Sequence, residues 1–356
     1  MKVLFVYSYL TLGGVEAVLR ARLDGLERHG IEAHAWFFHD FGGRSIFAGI
    51  EDRVHVGDLA ACMAFLRESR FDFLSSIDTE AVFAGYEEPS PGLPPLIVEC
   101  HSAYLANIEY LRRVRRLNPV ALFTPSEHQR RTVRERAREG VEVRVVPNPV
   151  RQVFVEEPSP FLAPPRRPVL AWLGRLDEHK NWKGFLEIAG EVAARGVSAE
   201  AWIAGRPVEA PQVAELLERA RAEGVLHRLR WFRGLPHERI PAFFDAVRDS
   251  GGVAVTTSRG ESFGMTVAEA MARRCPVLVP GTGPFDEFVA DGVTGGFYKP
   301  GSIRSAADRL ETFLSDAALR DACGRRAREV ILERYAPGPA VAVLAEELGR
   351  LAPKTR

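Results

Sequence analysis

The chain has 356 residues, 46% of them hydrophobic and 26% charged, which is the composition of a globular protein with room for two packed domains. Lysine plus arginine and aspartate plus glutamate each number 47, so the net charge gives no reason to expect binding to nucleic acid. The four cysteines lie far apart without a C-x-x-C pair, which argues against a zinc site or a disulfide framework and indicates a reducing, cytoplasmic location.

The N-terminal run MKVLFVYSYL is too short to cross a bilayer and has no small-residue cleavage site, so we interpret it as a buried strand near 2–8. Helical patterns separate it from the next apolar runs, and the first of these patterns ends at Gly30. Further strands are expected near 31–38, 72–77, 95–100, 119–124 and 141–147. This alternation predicts an α/β domain with a parallel sheet over residues 1–155.

Five prolines without periodicity in residues 156–168 indicate an exposed linker. A second series of strands is expected near 169–174, 199–204, 228–233, 253–257 and 276–280, which predicts a second domain over residues 169–335. Helical patterns at 316–334 and 338–350 close the chain, and we expect the C-terminal helix within 336–356 to cross back to the first domain. The predicted fold class is α/β, with two doubly wound, Rossmann-like domains facing a cleft.

Ligands of doubly wound sheets bind at the carboxyl ends of the strands, so the loops there are where chemistry is expected. After the first strand, Gly13 and Gly14 allow the backbone to approach a ligand and open a helix whose free N–H groups favour an anion. The alternative interpretation is an ordinary turn. The loop lacks the G-x-G-x-x-G fingerprint, and GTGP at 281–284 lacks its third glycine, which argues against a nicotinamide enzyme.

The loop WLGRLDEHKNWKGF follows the first strand of the second half. Only five of the 47 basic residues are lysines, and two of these, Lys180 and Lys183, fall in this loop. Arg175 offers a planar fork and Lys180 a compact point charge, a combination suited to a diphosphate. The alternative interpretation is that Asp177 and Glu178 simply pair with these cations at the surface.

The stretch ESFGMTVAEA at 261–270 predicts a helix that begins near Phe263 or Gly264. Its first free amides, those of Gly264, Met265 and Thr266, would then form a second anion-binding element beside the first.

Two glutamates flank this helix start. Glu261 lies in the loop, and Glu269 lies about 7.5 Å along the axis at about 1.5 Å per residue, a separation that suits a nucleotide sugar. We expect Glu261 to contact the sugar and Glu269 to accept hydrogen bonds from the ribose hydroxyls. The buried stripe of the helix is predicted to be Val267, Ala270 and Met271, with Glu269 displaced from it. The alternatives are a solvated helix face for Glu269 and a helix-dipole partner for Glu261.

Together with GGVEAVL, LGRLDEHK and VPNPV, the stretch ESFGMTVAEAMARRCPVLVP resembles the retaining glycosyltransferases of the GT-B fold. The resemblance runs in order over nearly the whole chain, and its most specific part is the pair of glutamates with FG after the first and EAMA around the second. It implies that Arg175 and Lys180 bind the diphosphate, Glu261 the transferred sugar and Glu269 the ribose. The helix start is implied to bind the donor through Phe263, Gly264, Met265 and Thr266.

Two further loops share the resemblance. FRGLPHE is similar to the loop whose backbone holds the nucleotide base, which implies a donor contact for Gly234 and Leu235. His101 in LIVECHSAY matches the histidine that meets donor sugar and acceptor. The catalytic residues implied are therefore His101, Arg175, Lys180 and Glu261, with Gly13 and Gly14 added to the donor-binding set.

The reaction implied is transfer of a hexosyl group from a nucleotide sugar, UDP- or GDP-linked, to an acceptor hydroxyl with retention at the anomeric carbon. Cations and helix amides would stabilise the charge that grows on the leaving diphosphate. No cofactor and no metal are expected, because these groups replace the ion. In the family's mechanism the departing phosphate oxygen takes the acceptor proton, which leaves Glu261 an electrostatic and positioning role.

Other classes of protein remain open. A glycosidase also uses two carboxylates, but it has no use for Arg175 and Lys180. A non-catalytic nucleotide-sugar-binding subunit, or a sugar-nucleotide epimerase of the same fold, would use the same donor site.

The chain departs from the family pattern at three places. It has Asn148-Pro149 where NG is usual, and Arg274 where a small residue, commonly glycine, is usual. In KNWKG the lysine is not followed directly by glycine, which leaves Lys180 and Lys183 as alternatives for the phosphate lysine.

The segment YLANIEYLRRVRRLNP at 104–119 has apolar residues at helical spacing and a basic end. The apolar residues are Tyr104, Leu105, Ile108 and Leu111, and the basic end is Arg112, Arg113, Arg115 and Arg116, opposed locally only by Glu109. One interpretation is a solvated helix end whose charges complement the helix dipole. The other is a peripheral contact with the anionic inner face of the membrane, where a lipid-linked acceptor would be reached.

Overall fold

The computed structural model of the protein describes residues 1–87, 92–137, 140–156, 165–207 and 210–352. The chain forms two compact units, one of Met1–Arg151 with Tyr335–Arg356 and one of Gln152–Arg334. Most of the stretch predicted to be a linker, residues 157–164, lies outside the described residues.

The first unit is built on a seven-stranded sheet. Its strands are β1 Lys2–Leu10, β2 Glu32–Asp40, β3 Val54–Val56, β4 Phe73–Ile77, β5 Leu96–Glu99, β6 Ala121–Thr124 and β7 Val143–Val145. They lie in the order β3-β2-β1-β4-β5-β6-β7, and every pairing is parallel. The sequence predicts six of these strands; β3 was missed because three residues are too few to show a period.

Helices cover both faces of this sheet. They are α1 Gly14–Leu26, α2 Leu59–Ser69 and α3 Glu127–Ala137. Along β1, Val3 and Phe5 belong to one buried cluster, and Leu4 and Val6 belong to another. A strand buried on both sides has no polar face, which is why the N-terminal run is apolar throughout.

The helix expected over residues 104–111 is instead a pair of 3₁₀ segments, Leu105–Arg112 and Val114–Leu117. Ile108, Leu111, Val114 and Leu117 are all buried, whereas Leu105 is exposed. These four buried residues recur every three positions, which is the period of a 3₁₀ helix rather than of an α-helix.

The second unit has a six-stranded parallel sheet. Its strands are β8 Val169–Leu173, β9 Glu200–Ala204, β10 Leu229–Phe232, β11 Val253–Val255, β12 Val277–Pro280 and β13 Gly296–Tyr298, in the order β10-β9-β8-β11-β12-β13. Its helices are α4 Gln152–Val155, α5 Trp182–Ala194, α6 Gln212–Ala222, α7 Ile240–Asp249, α8 Met265–Ala272, α9 Ile303–Ser315 and α10 Ala317–Arg334. The sequence predicts five of the strands and misses β13, which has three residues and begins with glycine. The α/β class with two doubly wound sheets is confirmed.

The last helix, α11 Pro337–Leu351, belongs to the first unit and packs against α1. Val341, Leu344 and Leu348 are buried in the same cluster as residues of β1 and α1. A Cβ atom at Gly25 would lie 3.0 Å from the Val341 side chain, so glycine at this position lets the two helices approach closely.

Candidate functional site

The centre of the second sheet is where the order of its strands reverses. From β8 the chain moves outwards through β9 to β10, and it then returns to pair β11 with the other side of β8. The loops after β8 and β11 therefore leave neighbouring strands in opposite directions and open the crevice in which such sheets bind ligands.

The structure brings Lys180 and Glu261 together at this point. The Lys180 Nζ atom lies 2.6 Å from Glu261 Oε1, and both side chains are partly exposed. The two residues come from different loops, 81 positions apart in the sequence. An ammonium and a carboxylate in contact at the strand-order reversal form a polar centre that can bind the charged and hydroxyl groups of one ligand.

Hydrogen bonds connect the two loops beneath this pair. His179 Nε2 lies 2.6 Å from the Gly260 carbonyl oxygen, and Asn181 Nδ2 donates to the Thr257 carbonyl oxygen at 3.1 Å. The Thr257 hydroxyl donates to the Asn181 carbonyl oxygen at 2.7 Å and accepts from Trp172 Nε1 at 3.1 Å. The sequence did not reveal His179, Asn181 or Thr257 as site residues, because their partners are main-chain atoms of a distant loop.

Arg175 and Lys183 have different surroundings from Lys180. Arg175 follows β8 at the same sheet edge, is 64% exposed and contacts Asp177 at 3.0 Å. Lys183 lies on α5, where Glu178 and Glu215 contact it at 2.7 and 2.6 Å. Hydrogen bonds to these two carboxylates raise the pKa of Lys183. Lys183 is thus held by two surface carboxylates. The contact between Arg175 and Asp177 is the one that the alternative interpretation of this loop expected, whereas the side chain of Lys180 pairs with Glu261 instead.

Helix α8 begins at Met265, one residue after the predicted start, and Gly264 precedes it with φ +92°. A Cβ atom there would come within 2.7 Å of the Phe285 ring, so both the conformation and the packing require glycine. Phe263 is buried, and its ring centroid lies 5.5 Å from that of Phe288. Met265 and Thr266 form the half-exposed first turn, whose main-chain N–H groups lie at the helix start.

The prediction that Glu269 lies away from the buried stripe of α8 is wrong. Glu269 is only 6% exposed, and every residue from Val267 to Ala272 is buried. After its half-exposed first turn the short helix is buried on every side, so it has no solvated face at Glu269.

Gly234 and Leu235 follow β10, at the same carboxyl edge of the sheet but two strands away from β8. Gly234 is exposed, and a Cβ atom there would lie 3.7 Å from Arg206 Nε. The loops after β8, β10 and β11 therefore all lie at the carboxyl edge of the second sheet. They carry the donor-binding residues predicted in the second half of the sequence.

In the first unit, Gly13 caps the start of α1, and Gly14 is its first residue. Glu16 is buried and accepts hydrogen bonds from the Thr11 main-chain N–H and hydroxyl, each at 2.5 Å. A Cβ atom at Gly13 would lie 2.6 Å from Glu16 Oε2, whereas one at Gly14 would meet nothing within 4 Å. Gly13 is thus required by the turn itself, and Gly14 lies in open space at the helix start.

His101 follows β5 and stands on a buried charge network. Its Nε2 atom lies 2.9 Å from Glu99 Oε2. Glu99 also accepts both hydrogen bonds from Arg22 Nη1, at 2.9 and 2.8 Å, and one from Ser75 Oγ at 2.6 Å. Burial by itself raises the pKa of Glu99. The charge of Arg22 and the hydrogen bond with His101 outweigh burial and lower the pKa to about 2. Glu99 is therefore ionised and orients the His101 ring, a role that no local pattern in the sequence indicated.

Asp78 lies on the other side of His101. It accepts hydrogen bonds from the His101 main-chain N–H, at 3.1 and 3.2 Å, and from the Tyr110 hydroxyl at 3.1 Å. Burial raises the pKa of Asp78 to about 6, although the neighbouring His101 lowers it. Its φ of +42° is in the left-handed region, which aspartate tolerates better than most residues.

The four basic residues after Leu111 are exposed, as expected of a solvated segment. Glu109 contacts Arg112 at 3.1 Å and Arg136 at 2.9 Å, and Glu80 forms an ion pair with Arg113. Glu80 is thus a second opposing carboxylate that the local sequence did not reveal.

The described residues contain neither a metal-binding cluster nor a membrane-spanning helix. No group of three or more His, Cys, Asp or Glu side chains is arranged there to hold a metal ion. None of the helices described is long and apolar enough to cross a membrane. All four cysteines are buried free thiols.

Comparison with known proteins identifies the family. Residues 155–330 match the model of the glycosyl transferases group 1. This part of the chain belongs to that family. The resemblance read from the motifs in the sequence is therefore confirmed.

Two curated relatives are similar to about half of this chain. An alpha-D-kanosaminyltransferase from Streptomyces kanamyceticus is 27% identical over 186 residues, which is 51% of this chain and 46% of that protein. A D-inositol 3-phosphate glycosyltransferase from Corynebacterium diphtheriae is 29% identical over 164 residues, 45% of this chain and 38% of that protein. Each match spans less than half the relative's length.

A solved structure extends the likeness to nearly the whole chain. Alr3699/HepE from Anabaena, in complex with UDP and glucose, has a TM-score of 0.81 and 20% sequence identity, and the match covers 98% of this chain and 100% of that chain. The GT-B fold of this group 1 member is thereby confirmed.

Proposed function

We propose that this group 1 protein transfers a glycosyl group from a nucleoside-diphosphate sugar to an acceptor hydroxyl. The observation that carries the proposal is the contact between Lys180 and Glu261 at the strand-order reversal of the second sheet. Membership of the family and the UDP and glucose in the HepE complex support it.

The donor's diphosphate is assigned to Lys180, Arg175 and the amides at the start of α8. These groups are fixed before the reaction, so they stabilise the charge that develops on the leaving diphosphate more than they stabilise the bound donor. The hydrogen bonds between the loops after β8 and β11 hold Lys180 in position for this role. No cofactor and no metal ion are required, because two cations and a helix start supply the positive charge.

The sugar and the nucleoside are assigned to the remaining residues. Glu261 contacts the sugar hydroxyls, Glu269 the ribose, and the main chain of Gly234 and Leu235 the base. In the first unit, His101 contacts the sugar or acceptor, and Gly14 contributes open helix amides at the start of α1. Glu99 holds the His101 ring through its Nε2 atom.

The transfer is proposed to proceed with retention at the anomeric carbon, as by a hexosyltransferase. The bond between the anomeric carbon and the phosphate oxygen breaks, and the acceptor oxygen bonds to the same face of the sugar. The departing phosphate oxygen takes the acceptor's proton. Glu261 therefore takes no proton. It stays ionised, positions the sugar and balances positive charge.

UDP and GDP are the proposed donor nucleotides, with UDP favoured by its presence in the HepE complex. The decisive experiment is a thermal-shift panel of UDP-, GDP-, ADP- and dTDP-sugars, followed by product analysis with the best binder. A transferred sugar with the anomeric configuration of the donor is expected. Binding without transfer or hydrolysis would indicate a non-catalytic subunit, and conversion of the free nucleotide sugar would indicate an epimerase.

The basic segment after Leu111 is proposed to hold the protein at an anionic membrane surface on the cytoplasmic side, where it would reach a lipid-linked acceptor. Four exposed arginines are available, and each basic residue near such a surface contributes about 1 kcal/mol. Because Glu80 and Glu109 already pair with Arg113 and Arg112, Arg115 and Arg116 are the ones expected to contribute most.

Vesicle sedimentation tests this contact. Vesicles rich in anionic lipid should bind the wild type at low ionic strength and release it as salt rises. Replacing Arg115 and Arg116 by Gln should weaken the binding more than replacing Arg112 and Arg113. Wild-type protein that stays in solution with such vesicles at low salt would overturn the proposal and favour a soluble acceptor.

A further inference from the structure

A cavity of about 690 Å³ lies at the edge of the second sheet opposite the Lys180–Glu261 contact. Gly251 and Pro276 line it, and these residues come just before β11 and β12, whereas the Lys180–Glu261 contact lies beyond the strands' carboxyl ends. Its remaining wall comes mainly from the first turns of α10. Nothing proposed for the donor or the acceptor uses this edge.

The cavity is lined mainly by arginine. Six arginines line it, which are Arg248, Arg273, Arg274, Arg320, Arg325 and Arg328. Two aspartates, Asp249 and Asp321, line it as well, and Asp245 pairs with Arg248 and Arg273 from outside the lining. Six positive charges against these three negative ones leave an excess of three, in a chain whose net charge is zero.

Several of these guanidinium groups are fixed by the main chain. Arg273 is buried, holds Asp245 at 2.9 Å and donates to the Phe154 carbonyl oxygen at 3.1 Å. Arg320 donates to the Leu314 carbonyl oxygen at 2.9 Å, and Arg328 to the Val155 carbonyl oxygen at 2.7 Å. The wall is therefore built before any ligand arrives, which reduces the entropy lost on binding.

Among the residues that line the cavity, Arg274 has the most unusual backbone conformation. It follows the end of α8 with φ +58°, a position and conformation that favour glycine. Its side chain is exposed, and in the described part of the chain no hydrogen bond or ion pair engages its guanidinium group. A Cβ atom at Gly324 would lie 2.4 Å from the Arg274 carbonyl oxygen, so α10 packs directly on this turn and prevents it from relaxing. A strained arginine where glycine would fit indicates a role for its side chain.

We propose that this cavity, the arginine cavity, binds a small molecule through a phosphate or diphosphate group. Its volume is that of a small-molecule site. The planar, permanently charged fork of arginine matches the oxygens of a phosphate, and several forks converge here in fixed positions. Arg274 and Arg325 are the exposed members that reach the ligand, while Arg273, Arg320 and Arg328 form the support. Arg325 contacts Asp321 at 3.2 Å, an exposed pair that a phosphate group would displace.

Calorimetric titration of inorganic pyrophosphate into the full chain tests the proposal. The titration uses the Arg175→Ala/Lys180→Ala background, which removes both cations of the proposed diphosphate site, so failure of this proposal can be told apart from failure of the proposed function. Pyrophosphate should still bind to this background. Adding Arg274→Gly and Arg325→Gln should weaken that binding about tenfold or more, because two charge-assisted contacts are lost.

The matched control is Arg326→Gln in the same background. Arg326 lies on the same helix, pairs with Glu329 at 2.8 Å and does not line the cavity, so its loss should leave the affinity unchanged. Arg274→Gly suits the left-handed backbone, and the thermal midpoint without pyrophosphate should not fall. Orthophosphate should bind more weakly than pyrophosphate but better than chloride at equal ionic strength.

Three results would overturn the proposal. The background could fail to bind pyrophosphate, the cavity variant could bind it as tightly as the Arg326→Gln control, or chloride at equal ionic strength could compete as well as orthophosphate.

Discussion

At the scale of single residues, the contact between Lys180 and Glu261 gives these two side chains a shared role. The sequence predicts them for adjacent parts of one donor, the diphosphate and the sugar, and the structure has them 2.6 Å apart. Removing the carboxylate charge would leave Lys180 without its partner but still next to the proposed diphosphate. The two glutamates of the stretch ESFGMTVAEA, Glu261 and Glu269, should therefore differ in the effect of their loss.

We predict that Glu269→Gln weakens binding of UDP itself, because the proposed partner of Glu269 is the ribose. Loss of a hydrogen bond to a charged group should cost about 1.5–3 kcal/mol, or about 10- to 100-fold in Kd. Glu261→Gln should leave UDP affinity undiminished, since it removes a negative charge near the diphosphate, and should lower the rate of transfer. Calorimetry with UDP and a transfer assay check both; the reverse pattern would show that the assignments are exchanged.

The lowered pKa of Glu99 predicts how the stability of the fold depends on pH. Its pKa is lowered from 4.5 to about 2, so its ion pair with Arg22 stabilises the fold above about pH 4.5 and is lost as pH falls towards 2. Near pH 4 the unfolded chain is mostly protonated at this residue and the folded chain is not, so the group contributes a slope of about 1 kcal/mol per pH unit.

The double variant Arg22→Met/Glu99→Gln should flatten this slope while remaining folded at pH 7, because it neutralises both partners at similar volume. Glu99→Gln alone should lose about 3–5 kcal/mol, since it leaves the Arg22 charge buried without compensation. Urea midpoints at pH 7, 5 and 4 measure both effects. An unchanged slope in the double variant would mean that folding does not lower the pKa of Glu99.

Motifs could predict which loops carry the candidate residues, but not the burial and side-chain pairing that packing decides. Burial of Glu269 was missed because the pattern of α8 was interpreted as one apolar stripe, whereas every residue from Val267 to Ala272 is buried. The choice between Lys180 and Lys183 needed the positions of Glu178 and Glu215, of which Glu215 lies on another helix. Glu99 and Arg22 lie 77 positions apart, and nothing local marks them as a pair.

At the scale of elements, the loops after β8 and β11 act as one piece because Asn181 joins them. Its side chain caps α5 by accepting from the Gly184 main-chain N–H at 3.3 Å, and it donates to the Thr257 carbonyl oxygen at 3.1 Å. Its φ is +55°, which glycine tolerates and alanine does not.

We predict that Asn181→Ala destabilises the protein by about 1–2 kcal/mol, from the lost cap and the strained backbone together. Asn181→Gly should cost less, because it loses the hydrogen bonds but keeps the conformation. Both variants should weaken UDP binding, since Lys180 is the next residue along the chain. Urea unfolding and UDP titration provide the comparison; equal stability of the two variants would exclude a contribution from the backbone conformation.

The elements that the sequence missed share a physical cause. The strands β3 and β13 have three residues each, fewer than a period-two pattern needs to stand out. The 3₁₀ segments between Leu105 and Leu117 have their buried residues three apart, a period close enough to that of an α-helix to be mistaken for one. The longer strands and the helices closing the chain were predicted because several turns or residues repeat.

At the scale of the whole molecule, two doubly wound units and their order along the chain could be predicted, because each alternates apolar strands with amphipathic helices. The first unit is completed by α11, which lies almost 200 residues after β7 and buries Leu344 and Leu348 with the core of α1. Apolar spacing could predict that helix but not its partner, because the face it covers lies at the other end of the sequence. The arginine cavity was missed for the same reason: its arginines come from several separate elements.

The central claim, that the carboxyl edge of the second sheet binds and activates a nucleotide-sugar donor through Lys180, is tested most directly by kcat/KM for transfer from the best-binding donor. Lys180→Ala should lower kcat/KM by about one to two orders of magnitude, because a charge-assisted contact to the diphosphate is worth about 1.5–3 kcal/mol. Arg175→Ala should do the same. Lys183→Ala, which removes a lysine of the same segment already held by Glu178 and Glu215, should stay within about twofold of wild type. Wild-type kcat/KM in Lys180→Ala, or an equal loss in Lys183→Ala, would contradict the account.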